Sequence, residues 1–224
     1  MGAYSVTEDD EGTGGIVFAK SAVAARRIGA GEFNNGEFSG LSVHRRKDLD
    51  RFEGSGVPAW LLVEEGWHFE CHGCGMRIEA YSLENEGLSF TDVVGVESGA
   101  IYCCHQCRRE SMAENAASVA FGEGFLDMLE DVVRKRFGDV EIKRDGGFSR
   151  HVYVPRGYRP LVVEQARVRF TFPGQKIGAA SLEFRHCGQY GQTLIGPVQP
   201  EFYCCSGDKE AFEAFAAGRQ RVTP

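Results

Sequence analysis

The 224-residue sequence has few features of a membrane or exported protein. Its longest apolar run, residues 56–63, is eight residues long, whereas a membrane helix needs about 20. The first residues have neither the basic start nor the apolar core of an export signal, and Val6 stands where myristoylation requires Ser or Thr. We therefore expect a cytoplasmic protein without a membrane anchor.

Proline is also scarce, since seven prolines stand against 29 glycines. Glycine fits tight turns and weakens the interior of a helix. This composition predicts many short elements and close connections rather than long uninterrupted helices.

The common catalytic motifs are missing as well. The sequence has no G-x-S-x-G elbow, no H-E-x-x-H pair, no Walker loop and no dinucleotide-binding fingerprint. We therefore predict a non-enzymatic protein with no catalytic residues.

Eight cysteines are present, and five of them fall into two short groups: Cys71 and Cys74, then Cys103, Cys104 and Cys107. In a reducing compartment such cysteines are metal ligands or buried thiols more often than disulfides. Pairs at this spacing present two thiolates to one tetrahedral ion, and the glycines on both sides of Cys74 permit the tight turn of a zinc knuckle. The pattern predicts a Zn²⁺ site.

The role predicted for the ion is structural, because four thiolates close its coordination sphere and leave no position for a catalytic water. Spacing alone leaves one ligand open. Cys104 with Cys107 repeats the C-x-x-C pattern, while Cys103 with Cys107 separates the two thiols by about one helical turn.

The segment YCCHQCRRE, residues 102–110, resembles the YCSxxC ending of treble-clef zinc modules of the FCS, TRASH and MYND type. In those modules a cysteine after an aromatic residue pairs with a cysteine four positions later, at the start of a helix. The resemblance covers residues 67–115 and implies the ligands Cys71, Cys74, Cys103 and Cys107. Cys104 then stands where Ser is usual.

The segments GW-x-F-x-C-x-x-CG and YC-x-x-x-C also resemble, more loosely, those of phage and prophage zinc-finger proteins. This similarity implies a protein that engages a protein partner in the host cytoplasm and inhibits host defence machinery such as CRISPR effectors. Some nucleases build a histidine and metal site on a treble clef, so a metal-dependent nuclease that uses His72, His105 or His151 is an alternative.

Charge is unevenly distributed along the chain. Residues 61–124 contain no lysine and three arginines against eleven acidic residues, a net charge of −8, and four thiolates on Zn²⁺ would add two negative charges. Such a region repels phosphate. We therefore expect its acidic side chains, among them Glu84, Glu86 and Glu97, to face a basic protein partner.

Basic side chains offer nucleic-acid binding as an alternative. The candidate residues lie in the segment VHRRKDLDRF or on and beside one face of a C-terminal sheet: Arg45, Arg46, Lys143, Arg144, Arg167 and Arg169. Interleaved acids weaken the field of the first segment, so the sheet residues form the more coherent surface.

Near the C-terminus, His186, Cys187, Cys204 and Cys205 fit either a second metal site or ordinary core and turn residues.

Hydrophobic periodicity predicts an α+β fold in three parts. Residues 1–15 are acidic and glycine-rich and are expected to form a flexible tail, and residues 16–122 to form an N-terminal region that contains the treble-clef module. Residues 123–224 are expected to form a helix/antiparallel-sheet/helix domain. The glycines of residues 122–125 indicate the boundary between the two folded parts.

Individual elements follow from the same patterns. Helices are predicted over residues 16–29, with Gly29 as the stop, and over residues 108–121, 125–137 and 207–218, with Ser206 as the cap of the last. Strands are predicted over residues 139–144, 150–155, 161–173 and 179–186.

Overall fold

The computed structural model describes residues 1–10, 12–138, 140–186 and 199–220, and the chain divides into two units, Met1–Met112 and Ala113–Pro224. Unit 1 contains the strands β1 (Gly2–Glu8), β2 (Gly14–Ala19), β3 (Leu41–Arg45), β4 (Phe69–Glu70) and β5 (Arg77–Ile78) and the helices α1 (Ala22–Phe33), α2 (Ala59–Glu64) and α3 (Ala80–Asn85). Helix α4 (His105–Phe137) begins in unit 1 and ends in unit 2. Unit 2 also contains β6 (Arg150–Tyr153), β7 (Gln165–Phe170), β8 (Ala180–Arg185), β9 (Glu201–Tyr203) and α5 (Lys209–Gln220).

A three-stranded antiparallel sheet in the order β2–β1–β3 forms the first part of unit 1. Both faces of β1 are buried. On one face Val6 joins the apolar cluster beneath α1, and on the other face Ala3 joins a second cluster with Leu49 and Leu62. The flexible tail predicted for residues 1–15 is therefore wrong for Gly2–Glu8, which forms the central strand of this sheet.

The first helix begins and ends later than predicted. Residues 16–19 belong to β2, and α1 starts only after Ser21, whose hydroxyl accepts a hydrogen bond from the backbone N–H of Ala24 at 3.2 Å. Gly29, the predicted stop, lies inside the helix. A Cβ at Gly29 would stand 2.4 Å from Cγ1 of Val6, so this glycine allows close packing of helix on strand.

The cysteine-containing segment of unit 1 is made of short elements. A two-residue hairpin, β4–β5, is followed by α3, by a 3-10 turn at Phe90–Asp92 and by an isolated bridge between Val94 and Tyr102. Tyr102 takes part in this isolated bridge and not in a longer strand, and α3 was not predicted. The bridge leads directly into the start of α4.

Unit 2 is a four-stranded antiparallel sheet in the order β6–β7–β8–β9, with α4 and α5 contributing to the core on one side. The predicted inward face of β7 is confirmed, since Ala166, Val168 and Phe170 are fully buried. Phe137 of α4 stacks at 5.4 Å on Phe170, and further rings surround it. This mixed helical and antiparallel arrangement agrees with the predicted α+β class.

Helix α4 is 33 residues long and passes without interruption through residues 122–125, where the sequence indicated a boundary. The expectation of short helices is therefore wrong here. Gly122 is buried, and a Cβ on it would stand 2.9 Å from Cγ1 of Val152, so the glycine allows the helix to lie close against β6. The division between the two units falls within the same helix, after Met112 and ten residues earlier than the predicted boundary at 122/123.

Two further predictions need correction. The strand predicted over residues 139–144 is only an isolated bridge between Ile142 and Phe170, and Asp139 lies outside the described residues. Ser206 does not cap α5 with its side chain, since a 3-10 turn, Ser206–Asp208, precedes that helix.

Within the part of the chain that the structure describes, no helix is both long and apolar enough to pass through a membrane.

Candidate metal centre

Four cysteine sulfurs meet in unit 1, and all of them lie within 4.8 Å of one another: Cys71, Cys74, Cys103 and Cys107. The first two occupy the turn between β4 and β5, the third follows the Tyr102 bridge, and the fourth lies in the first turn of α4. The predicted association of two cysteine groups that are distant in sequence is thus present in the fold.

The spacing of these sulfurs fits a tetrahedral ion. The Sγ atoms of Cys71 and Cys107 are 3.5 Å apart, and those of Cys74 and Cys103 are 3.9 Å apart. Ligands about 2.3 Å from a central zinc occupy the corners of a tetrahedron whose edges are about 3.8 Å. The cluster therefore has the size that a bound metal with four thiolate ligands requires.

Backbone hydrogen bonds hold the turn that carries Cys71 and Cys74. The N–H of Cys71 donates to the carbonyl of Met76 at 2.8 Å, and the N–H of Gly75 donates to the carbonyl of Cys71 at 2.9 Å. Gly75 has φ +74, a left-handed conformation that suits glycine. Gly73 is required for a different reason, since a Cβ there would stand 2.6 Å from Sγ of Cys107.

The structure separates the two candidates for the third position. Cys103 belongs to the four-sulfur group, and its backbone N–H donates to Sγ of Cys71 at 3.3 Å. Cys104 lies outside that group, and its Sγ accepts a hydrogen bond from the N–H of Cys107 at 3.4 Å. Cys104 thus has the position of a residue that caps the start of α4. It is also the position at which the treble-clef modules that the sequence resembles carry Ser.

The electrostatics of the cluster are uneven. Burial opposes ionisation of Cys71, but backbone N–H donors lower the pKa of its thiol to about 7. Burial, together with the neighbouring thiols, raises the pKa of Cys103 and raises that of Cys107 to about 12. The protein groups alone therefore favour one thiolate and disfavour ionisation of its neighbours.

A small apolar cluster surrounds the sulfurs, and Cys71 and Cys103 are part of it, at 2% and 6% exposure. Cys74 is exposed, so the group lies at the surface of unit 1 rather than deep inside it. None of the histidines considered for a nuclease site, His72, His105 and His151, belongs to the group.

The acidic residues of this region are not equivalent. Glu84 and Glu86, on and just after α3, are exposed, and so is Tyr81, at 72%. Glu97 is only partly exposed; burial raises the pKa of its carboxyl, and its Oε2 has no hydrogen-bond partner. Of these three acidic residues, the two that are exposed therefore lie on α3 and just after it.

Most of the basic residues proposed for nucleic-acid binding are held by carboxylates. Arg45 pairs with Asp50, Arg46 with Asp48 and Glu65, Lys143 with Glu141, Arg144 with Glu130, and Arg167 with Glu183. Arg169 has no carboxylate partner among the described residues. Because each pair cancels charge locally, the free positive field of these residues is smaller than the sequence indicated.

The C-terminal cysteines have a different setting. The thiol of Cys205 donates to Oδ2 of Asp208 at 3.2 Å, and the same carboxylate accepts hydrogen bonds from the backbone N–H groups of Lys176, Ile177 and Gly178. These backbone donors lower the pKa of Asp208. Cys187 lies outside the described residues, and within the described ranges only the four-sulfur group of unit 1 could hold a metal.

Sequence reasoning missed both of the buried carboxylates that organise unit 2, Glu130 and Asp208. Glu130 interrupts the core face of α4, next to Leu129, and this is the one signal that the sequence offered. Arg134 lies four residues later on the same helix, but its partners Arg144 and Arg150 lie outside α4, so only the fold identifies these two.

No protein-family model, curated protein or solved structure matches this chain.

Proposed function

We propose that Cys71, Cys74, Cys103 and Cys107 hold a structural Zn²⁺ ion in a treble-clef-like module, and that the protein is a non-enzymatic binding protein. The observation that carries the metal is the sulfur geometry, with distances of 3.5 and 3.9 Å close to the edge of a zinc–thiolate tetrahedron. Four thiolates favour zinc over the hard cations that prefer oxygen ligands.

A structural role follows from the ligand set. Four protein ligands leave no open position at the ion, so it can neither activate a water molecule nor polarise a substrate. What the ion supplies is a cross-link between the β4–β5 turn and the first turn of α4. The module thereby keeps a fixed shape even though its strands are only two residues long.

The surface that this module presents supports a basic protein partner. Glu84 and Glu86 are exposed beside the aromatic ring of Tyr81, and the zinc–thiolate group would add negative charge nearby. Tyrosine is enriched at the centre of protein interfaces, and acidic neighbours select partners of opposite charge. In line with the resemblance to phage proteins, the partner class that we propose is a nucleic-acid-handling protein of host defence, whose basic groove the acidic surface would occupy.

Metal analysis tests the first part of the proposal. The purified protein is expected to contain stoichiometric zinc, and Cys74→Ser is expected to lose it because three thiolates and a hydroxyl bind zinc far more weakly. Cys104→Ser is the matched control and should retain the metal, since Cys104 stands outside the four-sulfur group. A wild-type protein without metal, or zinc loss on the Cys104 change alone, would contradict the site.

The binding surface is tested with the zinc-loaded protein. Reversal of Glu84 and Glu86 to Lys is expected to abolish capture of a basic partner from host lysate, while the charge reversal Glu210→Lys on α5 should leave capture intact. Zinc content should stay unchanged in both variants. Equal capture by both would show that another surface binds, with the metal site unaffected.

The second candidate function is nucleic-acid binding by the outer face of the β6–β9 sheet. Tyr153 and Tyr203 are 51% and 46% exposed on that face, and Arg169 has no carboxylate partner among the described residues. Exposed aromatic rings on a four-stranded sheet can stack on unpaired bases. Binding of a single-stranded oligonucleotide that weakens with salt, and is lost in Arg169→Glu, would favour this candidate.

A further inference from the structure

One side of α4 in unit 2 exposes large apolar side chains. Phe121, Met128 and Val132 are 40%, 47% and 38% exposed. Their spacings of seven and four residues place them on one side of the helix. Leu129 and Val133, which enter the core, lie on a different side. We call the exposed side, with its neighbours Glu114, Ala117 and Lys135, the α4 stripe.

Opposite charges stand at the two ends of the α4 stripe. Glu114 precedes the apolar residues and Lys135 follows them, and the two side chains are about 60° apart around the helix axis. Lys135 has no ion-pair partner among the described residues. Glu114 has one pair, at 3.8 Å, with Arg159, whose side chain is 84% exposed. Neither charge is therefore firmly satisfied within the chain.

The order of residues along the stripe is symmetric about the pair Gly124 and Phe125. Phe121 and Met128 stand three residues from this pair on either side. Ala117 and Val132 stand seven residues away, and Glu114 and Lys135 stand ten. In an antiparallel pair of such helices, each member of a set faces its counterpart on the other helix.

We propose that residues 114–135 of α4 form an antiparallel, twofold-symmetric interface with a second copy of this chain. In that register Phe121 packs on Met128 of the second copy, and Glu114 pairs with its Lys135. Twofold symmetry repeats each contact, so two ion pairs flank two apolar contacts. A Cβ added at Gly124 would meet no atom within 4 Å, so the helices can approach closely at the centre.

A second copy fits this surface better than an unrelated protein does. In an antiparallel pair the acidic end of one stripe lies beside the basic end of the other, so the two stripes are complementary in charge. The antiparallel helices overlap over about 32 Å. One helix from each copy is a small interface by the standards of stable dimers, so the expected dissociation constant is micromolar. None of the residues of the α4 stripe is among the four cysteines of the candidate metal site.

Sedimentation equilibrium of the full chain, from about 1 μM to about 1 mM, tests the proposal over the range in which small interfaces dissociate. The wild type is expected to pass from monomer to dimer. Glu114→Lys and Lys135→Glu should each weaken the dimer about tenfold, because each places two pairs of like charge opposite each other. The double variant Glu114→Lys/Lys135→Glu should recover the wild-type association.

Matched controls separate the interface from general effects on the surface. Phe121→Ser should weaken association, whereas Phe148→Ser, at a ring that is 76% exposed elsewhere in unit 2, should not. Glu210→Lys on α5 controls for the change of net charge. A wild type that stays monomeric, single reversals without effect, or a folded double variant that fails to recover would each overturn the antiparallel register.

Discussion

The cysteine module of unit 1, which runs from β4 to the first turn of α4, and the sheet domain of unit 2 differ in how their cores are built. The apolar cluster around the sulfurs has eight buried residues, of which two are cysteines. Among the described residues, the cluster of unit 2 has twelve, including four phenylalanines. The strands of the module are two residues long, while β7 and β8 have six residues each. The module thus has little apolar burial and few ladder hydrogen bonds of its own.

This difference separates the two sources of stability. A small segment that buries little surface reaches a fixed fold when its cysteines bind a metal ion, because the binding free energy of the ion becomes folding free energy. A domain with interlocking aromatic rings obtains its stability from burial and ring packing. The same chain therefore offers an internal comparison, in which one region should depend on metal and the other should not.

Removal of the metal is expected to have the largest effect, and only on unit 1. A chelator should unfold the module, since four neighbouring thiols without a cation lose the cross-link between the β4–β5 turn and α4. The sequence has two tryptophans, Trp60 and Trp67, and both lie in unit 1. Tryptophan fluorescence should therefore change on chelation, while hydrogen exchange of β7 and β8 stays slow.

Added zinc should restore the fluorescence, and this reversal is the control for damage by the chelator. If the exchange rates of β7 and β8 rise together with the fluorescence change, the two regions share one cooperative transition and the comparison fails.

The corresponding change in the core of unit 2 is Phe137→Ala, which is expected to lower the free energy of unfolding of that unit by about 4 kcal/mol. Phe137 is 1% exposed and stands among the rings of Phe170, Phe202, Phe212 and Phe215, so its removal leaves a large cavity. Denaturant unfolding followed by far-UV circular dichroism measures the loss. Zinc content should stay at the wild-type level, and Phe148→Ser at an exposed ring should leave the unfolding free energy almost unchanged.

The same comparison shows what the sequence could predict. Both cysteine groups, the inward face of β7 and the helix over residues 125–137 were readable, because each depends on local spacing and alternation. The choice between Cys103 and Cys104 came from a resemblance, and the four-sulfur geometry agrees with it.

What the sequence could not provide has a tertiary origin. Gly29 and Gly122 indicated a helix end and a boundary, but in the fold they allow a helix to lie close to Val6 and to Val152. The single-residue pattern does not distinguish a glycine that ends a helix from one that allows packing. In the same way, the arginines of the predicted basic surface were visible, while their carboxylate partners are set by strand register and helix position.

Glu130 provides the smallest and most specific comparison, because it stabilises unit 2 through charge rather than through packing. Its side chain is 1% exposed and accepts hydrogen bonds from Arg134, Arg144 and Arg150. Burial alone would raise the pKa of Glu130, but hydrogen bonds from Arg150 and Arg134 and the positive charge of Arg144 lower it overall. Glu130→Gln should therefore lower the free energy of unfolding of unit 2 by about 2 kcal/mol. This loss is smaller than the loss expected on breaking a fully buried ion pair, because two of the arginines, Arg134 and Arg144, are partly exposed to solvent.

The pH dependence gives this prediction a distinct signature. Because the pKa of Glu130 is lower in the folded state, its stabilisation is complete above the unfolded value of about 4.3 and is lost as pH falls through the folded value. The difference in unfolding free energy between wild type and Glu130→Gln should thus be constant near neutral pH and shrink in acid. Asp131→Asn, at an exposed carboxyl on the next residue of α4, should show little difference at any pH. A gap of equal size in acid and at neutral pH would mean that Glu130 acts through its shape and not through its charge.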